Sequence, residues 1–202
     1  ATSPNVLTAH PSVRAKNLQE LIALAKTKPG AVNFASTGVA SVGHLTGELL
    51  NNLAGMKMTH VPYKGGGQAV IDLVGGHVQV MFSGFSAAMP HIKSGKARAL
   101  AVTGAARSPA LPGVPTSAAS GLPGFQSESW FGGVAPPKLA RGTIMKLNKD
   151  IADNLKTADT RERFLRQGAE AVFGTPEEFH KLMQAESVRF QKLVKAAAIS
   201  AQ

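Results

Sequence analysis

One stretch, VNFASTGVASVGHLTGELLNNLAGMKMTHVPYKGGG from Val32 to Gly67, does most to narrow what this chain can fold into. Ala31 to Ala35 is a short apolar run of the kind that forms a buried strand. Small or flexible residues follow from Ser36 to Gly43. Leu45, Leu49 and Leu53 then fall on one helical stripe, with Gly55 as its stop. A strand feeding a Ser/Thr/Gly loop that opens a helix aims several free backbone N–H groups and a positive dipole end at one spot. That spot suits a carboxylate or a phosphate. The plainer reading of the same residues is a βα connection whose Ser or Thr caps the helix.

The flanking sequence repeats this grammar. Asn5 to Ala9 reads as a strand ended by Pro11, and Asn17 with Glu20 has the form of a capping box for a helix bearing Leu18, Leu21, Ile22 and Ala25. Met58 to Pro62, His77 to Phe82 and Arg98 to Thr103 read as further strands. Between them, Tyr63-Lys64-Gly65-Gly66-Gly67 and Ser83-Gly84-Phe85-Ser86 are turns that enter helices. Phe125 to Val134 reads as a strand containing the single Trp, Trp130. Beyond Pro136-Pro137 the pattern turns helical: Ile144, Leu147, Ile151 and Leu155 form one stripe, and a second helix runs from Thr160 to Gln167. After a short strand at Ala169 to Phe173, Thr175-Pro176-Glu177-Glu178 opens a last long helix. Strand and helix alternating as far as Pro136 predict an α/β fold with a mainly parallel sheet covered on both faces.

Composition excludes several classes. No apolar run approaches the roughly 18 residues a membrane span needs, and with no cysteine there can be no disulfide, thiolate metal site or Cys nucleophile. The net charge of +10 raises a nucleic-acid reading. The 22 basic residues are scattered, however, and aromatics are only 5%, so a solvated basic surface that draws anionic solutes accounts for the charge better.

Catalytic motifs are incomplete. Gly38 and Gly43 have P-loop spacing, but His44-Leu45 stands where Lys and Ser/Thr are required. Ser41 has Gly43 after it but Val39 before it, so the G-x-S-x-G of a serine hydrolase acting on small esters or amides is broken; that enzyme class is the alternative reading. His44 and Glu48 have a spacing that could ligate a metal, although an ion pair or capping contact is the simpler account, and a core or edge histidine is the simpler account of His60 and His77. No metal or cofactor is expected. In an open parallel sheet ligands lie at the carboxyl ends of strands. The Ser36 loop, the Tyr63 turn and the Ser83 turn therefore converge on one donor-rich cleft suited to a small polar or anionic molecule, with no carboxylate pair to do chemistry there.

The segments SPNVLTAHPS, LIALAKTKPG, NFASTG followed by HLTGELL, HVPYKGGGQAVIDLVGG, ALAVTGAARSPALPGVPT, GLPGF and SWFGGVAPP, in this order and spacing, resemble the Bug-type (TctC-like) solute receptors of tripartite tricarboxylate transporters. The resemblance runs from Pro4 to the last residue. It implies a type II periplasmic binding protein, with a small carboxylate, amino acid or pyridine carboxylate clamped between two lobes and presented to membrane permease subunits, in the periplasm. It maps the ligand-binding lobe onto residues 11–134, and a remnant of the other lobe onto residues 1–10 and 135–202. The long N-terminal portion of that other lobe has no counterpart in this chain, and with it goes the opposing jaw of the site. The resemblance and the loop chemistry together assign the carboxylate cradle to Ser36, Thr37, Gly38, Ser41, Gly43 and His44, with Tyr63 and Lys64 guarding the cleft and Ser83 and Gly84 forming its third side. Ser83 stands where many relatives carry an acid, which argues against an amino-acid ligand. The apolar stripes of the Ile144 and Phe179 helices lack the sheet they would pack on, so the chain is expected to dimerise or exchange elements.

Overall fold

The computed structural model describes residues 1–197 and 199. Asn17 caps helix α1 (Leu18–Thr27) by accepting from the Glu20 amide, while the Glu20 carboxylate reaches back to the amide of Lys16. The capping box thus closes one residue earlier than its usual form. Helix α2 (Val42–Ala54) is capped by Ser41 and ends on Gly55, whose left-handed φ of 57° turns its amide back onto the last carbonyls. Thr175 and Glu178 form a complete capping box, with Pro176 as the first residue of the long helix α7 (Pro176–Ala196).

The strands are β1 (Thr2–Ala9), β2 (Asn33–Ser36), β3 (Thr59–Pro62), β4 (Val80–Gly84), β5 (Arg98–Val102) and β6 (Glu128–Trp130). They lie in the order β3-β2-β4-β1-β5, with β6 alongside the start of β1. β2 is parallel to β3 and β4, whereas β1 is antiparallel to β4, β5 and β6. Five strands therefore share one direction and β1 runs against them.

Alternation along the strands builds a core on each face. Leu7, Phe34, Val80 and Phe82 point towards α1 and α2 and pack on Leu18, Leu21 and Leu50. Ala35 and Met81 point the other way, towards Ala69, Val70 and Leu73 of α3 (Gly66–Val74). Val6 and Val102 meet Phe85 and Ala88 of α4 (Phe85–Lys93) on that second side.

Several expectations are corrected. Residues 1–10 were assigned to the other lobe, yet β1 is hydrogen-bonded between β4 and β5, and Leu7 and Ala9 have no exposed surface. Ser83 and Gly84 are not a turn: they finish β4, and α4 starts at the next residue. The Phe125 strand shrinks to three residues because only Thr2 to Pro4 of β1 reach it. Ala169 to Phe173 forms only one bridge, from Glu170 to Thr2. Helices α5 (Arg141–Lys156), α6 (Ala158–Arg166) and α7 contain no buried residue. Among the described residues no helix is long and apolar enough to cross a membrane.

Candidate functional site

β3, β2 and β4 are neighbours that share a direction, and each leads from its carboxyl end into a helix. α3, α2 and α4 therefore all begin at one edge of the sheet, where their dipoles are positive. Gly65 and Gly84 precede α3 and α4 and provide no side chain to cap them. The three connections touch. A Cβ on Gly38 would come 3.6 Å from the Tyr63 carbonyl oxygen, one on Gly66 3.6 Å from Thr37 Cγ2, and one on Gly43 3.0 Å from the Phe82 carbonyl oxygen.

The loop between β2 and α2 divides its amides into two sets. Gly38 donates to Ser36 Oγ at 3.2 Å, Ala40 to His44 Nδ1 at 3.0 Å, Ser41 to the Gly38 carbonyl at 3.2 Å, and His44 to Ser41 Oγ at 3.4 Å. Among the described residues, the amides of Thr37, Val39, Val42 and Gly43 donate to no protein group. Unpaired N–H groups in a loop and the first turn of the helix it opens are the chemistry that suits an anion. A nearby carboxylate would complete them.

The side chains expected to tune such a seat are mostly occupied inward. Ser36 is fully buried; its hydroxyl lies 2.9 Å from the Gly38 carbonyl oxygen and 2.6 Å from His60 Nε2. Ser41 donates to the Gly38 carbonyl at 2.7 Å. His44 is buried and stacks on His60, with ring centroids 3.6 Å apart. Its Nε2 faces Glu48 Oε1 at 3.9 Å, so the His44–Glu48 spacing gives a loose ion-pair geometry. Tyr63 donates to Asp72 Oδ2 at 2.7 Å and packs on the α3 cluster; burial and the Asp72 carboxylate push its phenol up to about 12. Hydroxyl and imidazole groups thus shape the loop. Thr37 and Lys64 are exposed, and the Ser83 hydroxyl, near the end of β4, donates to no protein group among the described residues.

Sequence reasoning missed the role of His60. Burial, with a smaller effect of neighbouring His44, pushes it down to about 4; burial also lowers His44. Its position follows from register, since His60 pairs with Phe34 across β2 and β3 and Ser36 lies two residues along the same face. Ser36 and His60 have the separation of a nucleophile and its base, but Ser36 is sealed from solvent, and no carboxylate among the described residues bonds His60.

A cavity of about 870 Å³ lies in a groove between α2 and α7, lined by Leu45, Leu49, Val188 and Leu193 with Lys181 and Arg189.

An α/β sheet with one reversed strand and three helix starts at one edge is the architecture of a periplasmic binding protein, and the solved neighbours share it. Residues 1–199 match the model of the tripartite tricarboxylate transporter family receptor (TctC), and the chain belongs to that family. It is 37% identical over 192 residues to Protein BugT of Bordetella pertussis, covering 95% of this chain and 59% of BugT. A solved R. palustris protein, Rpa4515 with adipate, has a TM-score of 0.90 at 32% identity, over 99% of this chain and 67% of that one. MatC of Rhodopseudomonas palustris, with bound malate, has a TM-score of 0.81 at 32% identity, over 96% and 67%. The chain thus spans about three fifths of BugT's length.

Proposed function

We propose that this chain carries the carboxylate-seating lobe of a periplasmic receptor that captures a small carboxylate for a tripartite tricarboxylate transporter. The observation that carries the reading is the set of unpaired amides of Thr37, Val39, Val42 and Gly43 at the start of α2, flanked by the uncapped starts of α3 and α4. Family membership and the adipate and malate held by two solved neighbours support it. The seat holds a carboxylate through backbone amides, with Ser36, Ser41 and His44 fixing the loop behind them and Ser83 beside it. In this reading the role is capture, as in the receptor family. Closure is driven by a ligand that touches both lobes. The loaded, closed receptor is what permease subunits of the transporter engage.

Titration of the isotope-labelled chain with adipate, malate and dimethyl adipate, followed by amide NMR, tests the reading. The two acids should shift the Thr37, Val39, Val42 and Gly43 amides selectively, and the uncharged ester should not. Acid-induced shifts that cluster elsewhere, or equal shifts with the ester, would overturn it.

A further inference from the structure

Behind the seat, four side chains from three elements meet. Phe34 and Ser36 leave β2 on one face, His60 stands opposite Phe34 on β3, and His44 descends from α2. The two imidazoles are stacked 8° from parallel, with Phe34 centred 5.0 Å from His60 and 6.2 Å from His44.

The bonding fixes the proton of His44. Ala40 donates its N–H to His44 Nδ1, and a ring nitrogen that carries a proton cannot accept. His44 is therefore neutral, with its proton on Nε2 facing Glu48. Ser36 has one hydroxyl proton and three partners. It accepts from the Gly38 amide, and since the Gly38 carbonyl already accepts from the Ser41 amide and hydroxyl, Ser36 and His60 Nε2 share a single proton in their bond, which leaves His60 neutral in either tautomer. A second proton on one ring would put a charge in a partly dry setting, and a second proton on both would set like charges face to face.

These rings hold the loop in its unusual shape. Ala40 has φ of 60°, in the left-handed region that residues with a Cβ rarely occupy, and among the described residues its amide bonds only to His44. The unpaired amides of Val39 and Val42 lie on either side of this held segment. Glu48 of α2 is the one charged side chain among the described residues within ion-pair distance of either ring, and β2 and β3 contribute no charge.

We propose that the stacked His44–His60 pair positions the anion-seating loop, and does so only while both rings are neutral, so that protonating the pair slackens the loop and weakens its hold on an anion. The sign opposes simple attraction, because an imidazolium acting by charge alone would tighten anion binding as pH falls. The ligand part of the proposal rests on the seat described under the proposed function; the loop part stands without it.

The test uses the whole chain, wild type, His44→Asn and His44→Leu, over a pH window from about 6.5 to below about 4, which brackets the value to which His60 is lowered. Asn keeps an acceptor for the Ala40 amide and cannot titrate; Leu removes the acceptor. In wild type the Ala40 amide resonance should move together with the imidazole signals, and in His44→Asn it should stay flat. Adipate affinity of wild type relative to His44→Asn, a ratio that cancels protonation of adipate itself, should fall roughly tenfold across the window, and His44→Leu should bind roughly tenfold more weakly even at neutral pH. His60→Gln, which can still donate to Ser36, repeats the test from β3 if the His44 variants unfold. An Ala40 amide indifferent to ring titration, or a ratio that is flat or rises as pH falls, overturns the proposal. If Ala40 follows the rings while adipate shifts none of the seat amides in any variant, the pair's positioning role stands and the carboxylate seat is what fails.

Discussion

Gly47 of α2 lies so close to Phe34 of β2 that a methyl group at Gly47 would sit 2.2 Å from the ring's Cε2 atom. With no side chain there, the helix settles directly onto the sheet. One turn earlier, His44 is brought down onto His60, and the free amides at the helix start are set level with the strand ends.

Gly47→Ala should therefore destabilise the chain. Overpacking costs about 1–3 kcal/mol, which outweighs the advantage of up to about 1 kcal/mol that alanine has over glycine in a helix. Urea unfolding followed by circular dichroism reads the difference, and a higher midpoint for the variant would show that the helix can ride up at no cost.

Tyr63→Phe separates scaffold from site. Losing the hydrogen bond to Asp72 should lower stability by about 1 kcal/mol, and carboxylate affinity should not change, since the phenol is committed to α3. A drop in affinity without a drop in stability would place the hydroxyl in the cleft instead.

Stability should fall on acidification through the histidine window. His60 is held down to about 4, against an ordinary value of 6.5, so below about 6.5 the unfolded chain takes up a proton that the folded chain refuses. The contribution of His60 is complete above about 6.5, is lost progressively towards about 4, and then levels off. Glu48, raised by burial against the opposing bond from Asn51, acts in the opposite direction at the lower end. The informative quantity is thus the difference between wild type and His60→Gln in melting temperature across this range. It should shrink as pH falls, and a constant difference would remove the histidine from the account.

The C-terminal helices should drive self-association. Leu147, Ile151 and Val188 are 48%, 54% and 53% exposed, on helices in which no residue is buried. Light scattering on a sizing column should report a dimer or larger species, reduced by Leu147→Glu with Ile151→Glu. A uniform monomer would contradict this.

Much of the site's position was legible from order alone. Phe34, then Ser36 to Gly43, then Leu45 and Leu49 announce a strand, a donor-rich loop and a helix, and strand-end logic brings the Tyr63 and Ser83 segments alongside. Which atoms line that edge was not legible. Whether Ser36 points outward or into the sheet depends on the pleat of β2, and its partner His60 arrives only through the β2–β3 register, a non-local quantity. The direction of β1 was equally hidden, since Val6 and Leu7 are as apolar as any buried strand and carry no mark of orientation. Ser83 and Gly84 read as a turn because small residues usually punctuate, but pairing with Val6 and Asn5 keeps them extended.

The placement of β1 also bears on how the chain is made. Its partners β4 and β5 come some seventy and more residues later, so during synthesis Val6 and Leu7 cannot take their places in this sheet until both have emerged. Assembly of the sheet is then completed from the middle, when an early strand is captured by late ones. A holdase able to shield that apolar strand during the wait should raise the yield of native protein more than faster helix formation would.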